Sequence, residues 1–300
     1  MAQATNLIVD SGCDLPMDRL EGHGVRVLHF TYTDTTPVGL TGTDDLFTSI
    51  PAHDFYAKMR AGACPKTSQP AQGEMERLFA EATDAGTPAV YLAFSSGISG
   101  CYEGALVARE RLVAGGLDPD LLTSVDTRLA SSALALLVDE AIRRIEAGIS
   151  APDLVSWATE WRYLVQTIFM VDDLDALRRG GRIPRGVASV GSMLKVKPML
   201  SFDQEGRLQM MGAGRGRNKA IARMSDFYVE HHDDAIAGAT VSIGSADSDP
   251  ADVERLKSKI EEAVGKVRFL ETSIGPVCGC HVGAGMLSCC FWGHGPRTGA

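Results

Sequence analysis

The apolar run Tyr91-Leu92-Ala93-Phe94 ends in Ser95-Ser96-Gly97-Ile98-Ser99-Gly100-Cys101, three hydroxyls and two glycines in seven residues. A helical pattern follows, with Leu106, Val107, Leu112 and Val113 as apolar positions. A strand, a tight turn and a helix start put hydroxyls and unpaired backbone N–H groups at the positive end of a helix dipole. That setting suits a carboxylate or a phosphate. In an open α/β sheet such a turn also lies outside the carboxyl end of its strand, where ligands bind. The plainer alternative is a Gly/Ser turn that only caps its helix.

His281 is followed by Val282-Gly283-Ala284-Gly285. It is either a satisfied core histidine or a group at a ligand, which the glycines let the backbone approach closely. With Ser99 as nucleophile and His281 as base the chain would be an esterase, and His281 alone could serve a small-molecule phosphotransferase. Yet Gly97-Ile98-Ser99-Gly100-Cys101 is not the Gly-x-Ser-x-Gly elbow, and no orienting acid is evident.

Other chemistries are disfavoured on spacing. No Gly-x4-Gly-Lys-Ser/Thr loop occurs, and Gly212-Ala213-Gly214-Arg215-Gly216-Arg217 lacks the third glycine of a dinucleotide fingerprint. Cys278-Gly279-Cys280-His281 with Cys289-Cys290 has Cys-x-Cys spacing in apolar surroundings, so these cysteines are expected to pack rather than bind metal. No cofactor is expected.

Seven cysteines at uneven spacing argue against a disulfide framework. No run approaches the roughly 18 apolar residues of a membrane span, and the first six residues lack a signal-peptide pattern. A cytoplasmic protein without stable membrane insertion is therefore expected. The net charge of −9 disfavours nucleic acid. The charge is uneven: eleven Lys and Arg between Arg178 and Arg223, opposed only by Asp203 and Glu205, give that segment +9 and leave −18 on the rest. The segment is either a solvated basic face or a surface for phosphate or an acidic partner.

The elements that must position these groups alternate. Strands are expected at Asn6–Asp10, Val25–Phe30, Ala89–Phe94 and Leu121–Val125, and helices at 53–61, 72–85 and 130–147. A further helix starts after Asp14 as N-cap. Thr31 to Leu46 reads as loop or irregular hairpin, and Pro65–Pro70 as a break. Ser150-Ala151-Pro152-Asp153 opens a helix through Arg162. Strands are then expected at 166–171, 198–202, 207–211, 239–245 and 267–272, with helices at 172–179, 219–230 and 250–264 and a hairpin turn at Asp203–Gly206. The fold class expected is α/β with two α/β domains. One, residues 1–163, is a parallel doubly wound sheet. The other, 164–300, is a mixed sheet with helices, and the 54–70 segment is allowed to pack on it.

Taken together the chain resembles the DegV family, fatty-acid-binding subunits of bacterial fatty acid kinase. The matching segments are Ile8-Val9-Asp10-Ser11 with Asp14-Leu15-Pro16, Thr67-Ser68-Gln69-Pro70, Ser95 to Gly100, Val171-Asp172-Asp173-Leu174 with Gly180-Gly181-Arg182-Ile183, Lys197 to Leu200, Arg215 to Ala220, and Ile274 to Gly283. The resemblance implies an EDD fold and a long-chain fatty acid held between the domains. It implies a carboxylate held by Thr67 and Ser99, with Ser96 as neighbour and His281 near the head group. It also implies a separate kinase partner that phosphorylates the carboxylate, with Arg215 or Arg217 as the phosphate or partner contact. Cys101 departs from the Thr or Ser usual after the serine loop. The protein alone is expected not to be an enzyme. A regulatory module whose bound lipid is structural is the remaining alternative.

Overall fold

A computed structural model describes residues 5–183, 196–236 and 240–297. Arg185 and Lys195 of the basic segment, the Ala239 strand start and residues 1–4 lie outside the described residues. The first half runs β1 (Asn6–Asp10), α1 (Met17–Gly22), β2 (Arg26–Leu28), β3 (Thr31–Thr33), β4 (Gly42–Thr43), α2 (Ala52–Arg60), β5 (Lys66–Ser68) and α3 (Gln72–Thr83). It continues with β6 (Ala89–Ala93), α4 (Cys101–Ala114), β7 (Leu122–Asp126), α5 (Ser131–Glu146) and α6 (Ala151–Trp161). The second half runs β8 (Val165–Met170), α7 (Asp175–Arg179), β9 (Val196–Phe202), β10 (Leu208–Arg215), α8 (Arg217–His231), β11 (Thr240–Ser245), α9 (Pro250–Val264), β12 (Arg268–Ser273), α10 (Pro276–Val282) and β13 (Leu287–Trp292).

The fold is α/β. One four-stranded sheet, β2-β1-β6-β7, is wholly parallel. Every residue of β6 is buried, as a central parallel strand requires. The chain moves one way from β1 to β2 and the other way from β6 to β7. The turns after β1 and β6 therefore flank a topological switch point, the crevice where open α/β sheets take ligands. The six-stranded sheet, β10-β9-β8-β13-β11-β12, is mixed, with only β11 and β12 parallel.

The two faces of that sheet differ. Ile168, Met170, Leu287, Cys289, Phe291, Val241 and Ile243 point to one side, where Ile221, Met224 and Tyr228 of α8 and Leu256 and Ile260 of α9 close a dry core. The alternate residues Thr167, Phe169, Ser288 and Cys290 point to the other. On this side lies α5, whose residues 131–142 are all buried and which touches β8, β11, β13 and the 3-10 turn Ser11–Cys13 of the first sheet.

Local chemistry explains most elements. Ser150 accepts the Asp153 N–H at 3.3 Å, with Pro152 in the first turn of α6. Asp249 accepts the Ala251 N–H at 2.9 Å to start α9 before Pro250. Three expectations need correction. Asp14 is not the N-cap of α1: its left-handed backbone (φ 54°) closes the 3-10 turn Ser11–Cys13, and its buried carboxyl turns inward to accept a hydrogen bond from Ser131. It is Asp10 that accepts the Gly12 N–H, at 3.2 Å, and α1 starts after Pro16 without a side-chain cap. The Pro65–Pro70 stretch is not structureless, because its prolines flank the pairing residues. Lys66, Thr67 and Ser68 pair antiparallel with Thr33, Tyr32 and Thr31 in a three-stranded sheet, β4-β3-β5. Lastly, α10 and β13 were not foreseen, and β13 is central to its sheet.

Candidate functional site

A cavity of about 240 Å³ opens at the switch point. Phe94, Ile98, Ser99 and Gly100 from the turn after β6 line one end together with Thr67 of β5 and His281 of α10. Deeper in, Phe169, Phe202, Leu177, Val277 and Met286 give it an apolar wall. Phe30, Ala130, Leu208 and Val282 add to the apolar lining, and a small polar group also borders the cavity: Ser131 and Ser132 from α5, Thr167 from β8, and Ser288 and Cys290 from β13.

At the mouth, Thr67 Oγ1 and His281 Nε2 are 2.9 Å apart. Ser99 Oγ accepts the Cys101 N–H at 3.2 Å, which caps the first turn of α4 and leaves the hydroxyl proton available to a ligand. His281 Nδ1 has no hydrogen-bond partner among the described residues. It lies against Gly180, where a β-carbon would strike the ring, so that glycine makes room for the imidazole. Burial, with the neighbouring Arg182 guanidinium second, holds His281 down to about 4, so the ring is neutral at pH 7. Arg182 also lines the cavity; it donates to the carbonyls of Ile98 at 3.2 Å and Gly180 at 2.5 Å. A cation, a hydroxyl donor and a hydroxyl–imidazole pair therefore converge on one end of an otherwise largely apolar cavity. This arrangement can hold a carboxylate by charge-assisted hydrogen bonds.

The serine turn is held from below and from the side. Asp10 accepts the Tyr91 hydroxyl at 2.7 Å and the Phe94 N–H at 2.8 Å, tying the end of β1 to the end of β6. Burial pushes Asp10 up to about 6 and Asp44, which accepts the Val277 N–H at 2.8 Å, up to about 7. Ser95 donates to the Gly206 carbonyl at 2.8 Å, and a β-carbon on Gly97 would lie 2.5 Å from the Glu205 carbonyl oxygen. The 203–206 hairpin turn of the second sheet is thus pressed onto the serine turn.

Of the residues singled out in sequence, Thr67, Ser99 and His281 come together. Ser96 does not line the cavity. Its hydroxyl donates to Asp126 Oδ2 at 2.6 Å and its N–H to Oδ1 at 3.1 Å, which turns it away. Arg215 and Arg217 do not line it either. Arg217 pairs with Asp172 at 2.9 Å, also pairs with Asp252, and donates to the Gly285 carbonyl at 2.8 Å, whereas Arg215 is exposed at the end of β10. Within the basic segment Lys197 also pairs with Asp172, at 2.7 Å. Cys289 and Cys290 point to opposite faces of β13, so they cannot join one metal site with Cys278 and Cys280.

Arg182 stands within the segment Gly180-Gly181-Arg182-Ile183, whose sequence alone assigns it no part in the site. Its position follows from Gly180-Gly181, which turns the chain after α7 back toward His281. Ser131, Ser132, Thr167 and Ser288 were also missed, because nothing in their local sequence distinguishes them from ordinary buried hydroxyls.

Comparison with known proteins gives the family of the chain. A family model described as "Uncharacterised protein, DegV family" matches residues 4–293. A DegV domain-containing protein of Clostridium perfringens is 33% identical over 96% of this chain and 97% of its own length. Among solved structures, a DegV family protein from Thermus thermophilus described for its fatty acid binding has a TM-score of 0.83 at 27% identity, covering 97% of this chain and 99% of that one. DegV from Bacillus subtilis, described as a fatty acid binding protein, has a TM-score of 0.79 at 27% identity, covering 96% and 99%. The chain belongs to the DegV family.

Proposed function

We propose that this DegV-family chain binds a long-chain fatty acid, with the carboxylate at Thr67, Ser99, His281 and Arg182 and the tail in the cavity behind them. The observation that carries this reading is the convergence of those four side chains on one end of a cavity walled mainly by Phe169, Phe202, Leu177, Val277 and Met286. The head group fixes orientation, each charge-assisted bond contributing roughly 1.5–3 kcal/mol. The tail supplies affinity, at about 0.8 kcal/mol per buried CH₂ before the costs of binding. Ser96 serves the site indirectly by locking the turn to Asp126. On this reading residues 1–163 and 164–300 are two domains with the ligand between them. The 54–70 segment belongs with the second, as the Tyr56 bond to the Ile274 carbonyl (2.5 Å) and the Thr67–His281 pair suggest.

The bound carboxylate is then presented to a separate kinase that forms the acyl-phosphate, with no cofactor on this chain. Arg215 is the better partner or phosphate contact of the two arginines, because Arg217 is tied to two aspartates. An esterase is not favoured. His281 engages Thr67 rather than Ser99, and its Nδ1 faces Gly180 where a triad would place an acid.

Mass spectrometry of the organic extract of denatured protein tests the binding: a stoichiometric long-chain acid is expected, and its absence together with no uptake of added oleate overturns the reading. Phosphorylation of bound lipid by an added fatty acid kinase tests the partner. Loss on Arg215→Ala with lipid retention unchanged is expected; loss of retention as well would put the arginine at the pocket instead.

A further inference from the structure

The wall of the cavity farthest along β8 is not the aliphatic lining that a saturated chain would match. The head-group end lies past Met170, where β8 leads through α7 to Gly180 and His281. Going back down the strand, Phe169 comes first and Thr167 two residues deeper, roughly 7 Å further in. Register carries the same depth across the sheet: Phe169 is opposite Ser288, and Thr167 is opposite Cys290. Ser132 meets this row from α5, its oxygen 2.6 Å from Ser288 Oγ.

The hydrogen bonds in this group close at every hydroxyl but one. Ser288 Oγ accepts the Gly244 N–H at 3.1 Å, donates to the Gly244 carbonyl at 3.4 Å and lies within hydrogen-bond distance of Ser132. The Cys290 thiol donates to Ser132 at 3.7 Å. Thr167, 2% exposed, has a buried hydroxyl with no hydrogen-bond partner among the described residues beyond a weak contact with the Cys290 thiol. Buried hydroxyls in proteins are nearly always satisfied, and one left against a methylene chain carries its desolvation cost uncompensated. Thr167 also borders the cavity itself, so a ligand atom can reach it.

We propose that Thr167, backed by Ser132 and Ser288, is a specificity residue that selects a long-chain fatty acid bearing a hydroxyl or other oxygen function within its chain. This rests on the fatty-acid reading above and names the substrate class of that same cavity. A chain oxygen at that depth accepts the Thr167 hydroxyl proton, whereas a plain chain leaves that hydroxyl with no better acceptor than the Cys290 sulfur. Selectivity of this kind is steep, because a site built for a polar group rejects the analogue lacking it.

The test is competition for the whole protein between matched acids that differ by one hydroxyl: ricinoleate against oleate, and the mid-chain monohydroxystearates against stearate. At least one hydroxy acid is expected to bind about fivefold or more tightly than its parent. Thr167→Val, nearly isosteric, should erase that preference by tightening the parent acid, and Thr167→Ser should retain it. Equal or weaker binding of every hydroxy acid, or a preference that survives Thr167→Val, overturns the proposal while leaving fatty-acid binding intact. Binding of none of the acids, oleate included, overturns both. The wild-type comparison decides the matter by itself should Thr167→Val not fold.

Discussion

The six-stranded sheet has one face that behaves like a protein interior and one that behaves like a binding site. On the α8/α9 side, Ile168, Met170, Leu287, Cys289 and Phe291 meet Leu256, Ile260 and Met224 in an apolar core. On the α5 side the same strands present Thr167, Ser288 and Cys290 to a cavity. Alternation along a strand lets a single element carry both. Stability and recognition can therefore be altered almost independently, by residues one position apart.

The largest effect should come from the dry face. Leu256→Ala is expected to cost about 2–5 kcal/mol in chemical denaturation and leave the ratio of bound lipid to folded protein unchanged; a parallel loss of lipid would erase the distinction between the faces. Next, Thr67→Ala with Ser99→Ala should weaken fatty acid binding by tenfold or more, each charge-assisted bond contributing roughly 1.5–3 kcal/mol. Its stability cost should be about 1–3 kcal/mol, from the lost Ser99 contact to the first turn of α4 and the lost Thr67–His281 hydrogen bond. Unchanged affinity in a binding titration would put the carboxylate elsewhere.

The cavity side should also carry a pH dependence. His281 is held at about 4, below the unfolded value of about 6.5. The unfolded chain therefore takes up a proton that the folded chain refuses, and His281 lowers stability as pH falls through that window, by at most about 1.4 kcal/mol per pH unit. Asp10, raised to about 6, acts oppositely: the folded chain keeps a proton the unfolded one has lost, so stability falls as pH rises from 3.8 toward 6. His281→Gln should thus make the protein relatively more resistant to urea at pH 5 than at pH 7. An identical pH profile would show the ring to be solvated. The smallest effect should separate neighbours: Cys289→Ala on the dry face is expected to cost about 1 kcal/mol, and Cys290→Ala less, because its sulfur borders open space. Reversal of that order in urea midpoints would argue that the cavity collapses.

Much of this was legible in the sequence where local chemistry decides. α9 follows the stripe Val253, Leu256, Ile260 and Val264, begins at Pro250 and ends at Val264 as read. The 203–206 hairpin and the turn after β6 were equally plain. What escaped notice depends on distant partners. Ser96 and Ser99 look interchangeable until Asp126, thirty residues on, takes Ser96. Asp14 reads as a cap until Ser131 draws its carboxyl inward. β13 shows no polar alternation because both its faces are buried, and its cysteines, expected to pack, gave no sign that they do so within a strand. Arg182 needs the Gly180–His281 approach, which only tertiary packing reveals.

β13 also has a kinetic meaning. It lies between β8 and β11, pairing across more than a hundred residues with the former and about forty-five with the latter. During synthesis β8 and β11 are complete long before residues 287–292 exist, and each presents an unpaired edge in the meantime. Such non-local closure is slow and exposes sticky strands to other chains. The sheet therefore stays half-zipped until β13 is made, and crowded expression should favour aggregation of chains stalled before residue 287.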